Sequence, residues 1–290
     1  MRSSVLVFLA PLATTGALMV FAAGAAGYAA PVGITPSPRT GREPPVLVEL
    51  FTSEACSSCP PADKLLMEID RARWVGQTEA IVLSEHVDYW NRLGWVDPFS
   101  SARFSDRQKD YAAHFAQAGI YTPQMVIDGR AECVGSDRAN ALRAITDAAR
   151  SPKANVTLTL VPGRSPRAGD PIGLTVRVAG VPGGPVKEPM DVFLAVTESR
   201  LRSQVLRGEN SGHWLEHTGV VRRLTVLGVF NPGRTAFTVA PEVNLESGWN
   251  RDNLRAVVFV QERRSGRIMG AASLPLAKRN VSTTLRQIAA

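Results

Sequence analysis

The run VLVELF (Val46–Phe51) is apolar at every position but Glu49. A short segment of that kind fits a strand covered on both faces. PADKLLMEIDRARW follows, placing Leu65, Leu66 and Ile69 at a helical period with charges between them. EAIVLSE (Glu79–Glu85) is a second buried strand. Two such strands joined by a helix need a crossover, so they pair in parallel. SARFSDRQKDYAAHFAQA reads as a helix that Ser100 or Ser101 caps and Gly119 ends. QMVID and AECVG, joined through the DGR turn, form an antiparallel hairpin, and Ser136 caps a last helix to about Arg150. The order β-α-β-α-β-β-α is the minimal thioredoxin-like arrangement, over residues 45–150.

From Ala154 the pattern changes. NVTLTLV, IGLTVRVA, MDVFLAVTE, GVVRRLTVLGVF, RTAFTVA and LRAVVFVQE alternate or are rich in β-branched residues, with Gly/Pro turns between them. Residues 154–290 therefore predict an all-β sandwich, with the boundary near RSPKAN (Arg150–Asn155).

The N-terminus sets the compartment. Arg2 precedes an Ala-rich apolar run from Val5 to Ala30, which reads as a signal peptide over residues 1–30, cut between Ala26 and Ala30. The alternative is an uncleaved segment acting as a membrane tether. Pro31 to Pro45 is rich in Pro, Gly, Ser and Thr and predicts a linker over residues 31–44. The mature chain is expected to be periplasmic or secreted, where thiol pairs can be oxidised. Three cysteines among 290 residues are too few for a disulfide scaffold. The net charge of +7 belongs to the second half: 18 Lys/Arg against 10 Asp/Glu from residue 154, but 15 against 16 before it. Its arginines are scattered, without interleaved aromatics, and the expectation is a solvated surface and no nucleic-acid partner.

The chemistry centres on EACSSCPP. Cys56 and Cys59 fall between the first strand and the first helix, whose positive N-terminal end stabilises a thiolate. Cys56 is the candidate nucleophile and Cys59, one turn on, the resolving thiol. Pro60 and Pro61 suit the first helical turn. Thr122-Pro123 stands just before the third strand, next to the first, and is expected to face the cysteines with a cis bond that presents backbone to an extended substrate. His86, Asp88 and Trp90 follow the second strand and emerge at the same sheet edge, as candidates for proton transfer or for lining the site. Glu49 is a further candidate proton acceptor for Cys59. It stands seven residues before Cys56, where the thioredoxin acid stands six before its first cysteine, and one residue turns a strand side chain to the other face. His213 and His217 have i, i+4 spacing but lie among strands, so joint chelation is not expected. Cys133 reads as a small core residue.

Several stretches in one order, ELFTSEACSSCPPAD, HVDYWNRLGWVDPFSS, YTPQMVIDGR with VGSDR, and GENSGHWLEHTGVVR, resemble a bacterial family of secreted thioredoxin-like proteins, domain of unknown function 1223. The resemblance runs from about Pro45 to Leu276. It implies a thioredoxin-like fold and thiol redox chemistry on Cys56, Cys59 and Pro123. Ala55 stands where the family is expected to have Gly, and Cys133 where it is not expected to have Cys. Three functions stay open at this stage. One is an exported thiol–disulfide oxidoreductase with no cofactor and a protein or small-molecule thiol or disulfide partner. Another is a copper protein holding Cu(I) on Cys56, Cys59 and His86. The last is a redox-inert binding module.

Overall fold

The computed structural model describes residues 42–161 and 171–277. The signal segment expected over 1–30 and most of the expected linker lie outside them. The first strand, β1 (Glu43–Thr52), already begins within that linker. The first half continues with α1 (Pro60–Ala72), β2 (Trp74–Val75), β3 (Thr78–His86), α2 (Ala102–His114), β4 (Gln124–Ile127), β5 (Ala131–Val134) and α3 (Arg138–Ala149). Among the described residues the second half holds strands and one short 3-10 turn, Arg251–Asn253. The strands are β6 (Asn155–Leu160), β7 (Ile172–Ala179), β8 (Met190–Glu198), β9 (Leu201–Gln204), β10 (Trp214–His217), β11 (Val220–Phe230), β12 (Ala236–Val239), β13 (Glu242–Val243), β14 (Leu254–Glu262) and β15 (Ile268–Pro275). The protein is mostly β, with a mixed sheet and few helices.

A nine-stranded sheet organises it, in the order β15-β14-β8-β11-β3-β1-β4-β5 with β2 on the side of β3. β1 and β3 are parallel, while β4 runs antiparallel to both β1 and β5. The sheet crosses the expected boundary at 150–154, so the two halves are not separate layers. β11 joins β3 at Val220↔Ser84, and Ser84 N–H donates to the Gly219 carbonyl at 2.8 Å. Gly219 has φ +59°, and a Cβ there would sit 2.9 Å from the Val82 carbonyl oxygen, so only glycine lets the chains approach this closely. The boundary segment is itself anchored: Lys153 is buried in an ion pair with Asp128, and Ala154 N–H donates to Met269 O at 2.7 Å. The second half does place two sheets face to face. β6, β7, β12 and β13 cover the β8, β11 and β14 part of the large sheet, around Leu174, Val176, Val192, Leu194, Phe230 and Val258.

The first half wraps its end of the sheet on both faces. Val46, Val48 and Leu50 meet α1 and α3, whereas Leu47 and Phe51 meet α2. The N-cap of α1, Cys59, makes no side-chain cap bond. Burial of Leu65, Leu66 and Ile69, worth about 1.5–3 kcal/mol each, outweighs the roughly 1 kcal/mol of a missing cap. α2 starts at Ser101 as expected but ends at His114, short of Gly119, because Ala116 takes a left-handed φ of +52°. Asp137, not Ser136, caps α3.

On the α2 face, Glu49 and Glu85 share Arg107. Its guanidinium reaches Glu49 Oε1 at 2.6 Å and Glu85 Oε1 at 3.5 Å. Burial raises the Glu85 pKa well above the carboxylate range; Arg107 opposes the rise and the Glu49 charge adds to it. Tyr111 closes the group, donating to Glu49 Oε2 at 2.6 Å and accepting from Arg107 at 2.9 Å. Glu49 therefore holds layers together on the face away from α1. Tyr111→Phe strips these buried charges of a partner and is expected to lower stability by about 1–3 kcal/mol in urea unfolding.

Candidate active site

The loop after β1 carries the two cysteines into the start of α1. Cys56 N–H donates to Ser53 O at 3.2 Å and Cys59 N–H to Cys56 O at 3.2 Å, and the Cys59 carbonyl accepts from Ala62 and Asp63. These tight turns bring the sulfurs into a Cys56–Cys59 disulfide with Cα atoms 5.5 Å apart, at the positive end of a thirteen-residue helix. Both cysteines are fully buried, and only Ser57 and Ser58 between them are exposed.

Thr122 lies against this pair and is joined to Pro123 by a cis peptide bond. The Thr122 hydroxyl donates to Cys56 Sγ at 3.3 Å and accepts from Trp90 Nε1 at 2.7 Å. Trp90 thus orients the group that touches Cys56. Asp88 acts elsewhere: its carboxylate accepts from Ser105 Oγ at 2.5 Å and ties the end of β3 to α2. Glu49 is not part of the site. Both its oxygens are bound by Arg107 and Tyr111, and Leu47 and Phe51, two residues to either side, share its face.

His86 is buried beneath the loop in a network that the sequence did not reveal. Its Nδ1 donates to Asp97 Oδ2 at 2.7 Å, and its Nε2 is buried without a hydrogen-bond partner among the described residues. Asp97 Oδ2 also accepts from Glu54 N–H at 2.8 Å. Burial works against the Asp97 charge, but His86 and the N–H groups of Glu54 and Phe99 outweigh it and hold its pKa below the usual range. Glu54, wholly buried, accepts from Trp95 Nε1 at 2.8 Å and from His217 Nε2 at 3.1 Å. His217 and His86 meet edge to face, ring centroids 4.8 Å apart. His213, four residues earlier, is bound instead to Asn210 O.

Asp63 completes the buried set, one helical turn beyond Cys59 and on the same side of α1. Among the described residues its Oδ1 has no hydrogen-bond partner. Burial pushes its pKa up to about 7; the His217 charge opposes the shift, and Asp97 and Glu54 add to it. Such a carboxyl exchanges protons near neutral pH. Among the described residues, no three His, Cys, Asp or Glu side chains are gathered to hold a metal ion. Cys133 lies on β5, half-buried against the α1–α3 core, where burial and the charges of Asp137 and Glu132 raise its thiol to about 11. Among the described residues no helix is long and apolar enough to cross a membrane.

The second half also contributes. In the β9–β10 hairpin loop, Asn210 Nδ2 donates to the carbonyls of Glu54 and Cys56, each at 2.9 Å, and Glu209 Oε2 accepts from Ser57 N–H at 2.9 Å. One clue stood in the sequence: GENSGHWLEH puts Glu, Asn and two His in a turn-rich stretch between strands.

The fold is shared with solved structures. Protein AGR_C_4864 from Agrobacterium tumefaciens superposes with a TM-score of 0.62 at 24% identity, over 84% of this chain and 100% of that one. HBP35 of Porphyromonas gingivalis superposes with a TM-score of 0.58 at 15% identity, over 85% of this chain and 80% of that one. At these identities the likeness concerns the fold alone. No curated protein is significantly similar to the chain. The family model described as Protein of unknown function (DUF1223) matches residues 47–261, from β1 through the cysteine loop and the β9–β10 hairpin into β14, and the chain belongs to that family.

Proposed function

We propose that this protein is an exported thiol–disulfide oxidoreductase built on a thioredoxin-like core, with Cys56 as nucleophile and Cys59 as resolving thiol. The observation that carries the reading is the disulfide at the N-terminal end of α1 with the Thr122 hydroxyl on Cys56 Sγ. The strand order β3-β1-β4-β5, with β1 and β3 parallel and β4 antiparallel, supports the core assignment.

In the reduced protein the Cys56 thiolate attacks one sulfur of a substrate disulfide and expels the other as a thiolate. A mixed disulfide with Cys56 results. Cys59 then loses its proton to Asp63 and attacks Cys56 Sγ, which closes Cys56–Cys59 and releases the second substrate thiolate. Two electrons pass from the protein dithiol to the substrate, and the reverse sequence oxidises a substrate dithiol. The partner is a protein or small-molecule thiol or disulfide, met outside the cytoplasm if the N-terminal segment directs export.

The test is equilibration of the full chain in a series of glutathione redox buffers, with alkylation reporting the state of Cys56 and Cys59. The expected result is a two-electron titration. A pair that stays oxidised at every ratio, whatever the incubation time, overturns the reading.

A further inference from the structure

Thiol exchange needs a thiolate to reach a disulfide sulfur, yet Cys56 and Cys59 each expose 0% of their surface. Something above them has to move. β1, β3 and β4 are central strands of the large sheet, and α1 is pinned by its buried Leu65, Leu66 and Ile69. The β9–β10 hairpin differs. It forms a separate two-stranded sheet of four residues a side, and a hairpin of that size is marginal on its own. Arg200 and Gly219, both with left-handed backbone, bound it. Its loop is closed on itself, with Val205 N–H on His213 O and Gly212 N–H on Val205 O, so the loop can lift as one piece. Among the described residues its hydrogen bonds to the cysteine loop are those of Asn210 to two carbonyls, Glu209 to the Ser57 amide and His217 to Glu54, while β10 packs on α1 with Leu215 and His217 buried.

We propose that the β9–β10 hairpin, residues 201–217, is a strap that gates the disulfide, with Asn210 and Glu209 as its latch. In the closed form, seen here, the strap fixes the backbone on both sides of Cys56 and the sulfurs are shut away. Release of the Asn210 and Glu209 bonds frees the Cys56 carbonyl and the Ser57 amide and opens a path to the sulfurs. The device places control of a first-half disulfide in a second-half segment, inserted between two strands of the shared sheet.

The experiment is the rate at which the oxidised full chain is reduced by a water-soluble phosphine under native conditions, followed by alkylation and mass measurement. Asn210→Ala is expected to raise that rate about tenfold, as the loss of roughly 1.4 kcal/mol of latch would do. Glu209→Gln is expected to raise it less, because the amide oxygen still accepts from Ser57. Hydrogen exchange guards against a variant that merely unfolds. In the unmodified chain, amides of residues 205–213 are expected to exchange by local opening, well ahead of those of β1 and β3. Reduction of Asn210→Ala within twofold of the unmodified rate overturns the proposal, as does exchange of the loop only together with the sheet. The phosphine needs no biological partner, so this result is independent of the redox reading above. A gated disulfide that never equilibrates with glutathione would retain the strap and lose the oxidoreductase.

Discussion

Replacing Cys59 by serine is expected to leave Cys56 joined to its partner as a stable mixed disulfide. The resolving attack needs a thiolate at position 59, and a serine hydroxyl cannot expel a thiol at neutral pH. Incubated with a disulfide substrate, Cys59→Ser should gain mass equal to one substrate half, removable by dithiothreitol. Cys56→Ser should gain none and should lose all reductive turnover of insulin. The assignment rests on geometry. Cys56 faces Ser58 Oγ and Thr122 Oγ1, both at 3.3 Å, in the loop shared with exposed Ser57 and Ser58. Cys59 is the N-cap of α1 and lies one turn from the buried carboxyl of Asp63. Adducts that form through Cys59 in the Cys56→Ser variant, and not through Cys56 in the other, would exchange the two roles.

The part of the fold that depends on local pattern was legible in the sequence. VLVELF, the helix through Leu65 and Ile69, and the DGR hairpin carry their own periodicity and turn chemistry, and each forms where that chemistry puts it. The junction of the halves was not legible, because it depends on contacts such as Gly219 with β3 and Ile268 N–H with Asp128 O, and no periodicity reports a contact between segments so distant in sequence. The site divides in the same way. Cys56, Cys59, Thr122 and Trp90 come together because they sit at the ends of strands or start a helix, positions that topology brings to one edge. Glu54, Asp97, Asn210 and His217 come together through side-chain bonds spanning 43 to 163 residues. A carboxylate such as Glu54, next to a C-x-x-C, gives no sign in sequence of being wholly buried. Glu49 shows the opposite case. Strand alternation alone separates it from α1, and the count of residues to Cys56 already contained that answer.

The buried Asp63 ties stability and chemistry to one titration. Its pKa rises from 3.8 to about 7 because burial disfavours the charged form. Below pH 4 both folded and unfolded chains hold the proton, and the group contributes nothing to the difference between them. As pH rises from about 4 to 7 the unfolded chain gives up its proton while the folded chain keeps it, so stability falls across that window and stays low above it. A shift from 3.8 to about 7 corresponds to roughly 4 kcal/mol at pH 8. Asp63→Asn removes the ionisation and is expected to be more stable than the unmodified chain at pH 8 by up to about that amount, with the advantage vanishing toward pH 4. Urea unfolding at a series of pH values measures it, and an advantage constant with pH would mean that Asp63 is not the titrating group. The same variant should be slower in function, since a carboxamide cannot accept the Cys59 proton. Release of the mixed disulfide is expected to slow on the order of 100-fold and to lose its inflection near pH 7. A merely structural role for Asp63 would lower the rate without moving that inflection. A site residue whose removal stabilises the fold while disabling the reaction is what a carboxyl kept buried for proton transfer predicts.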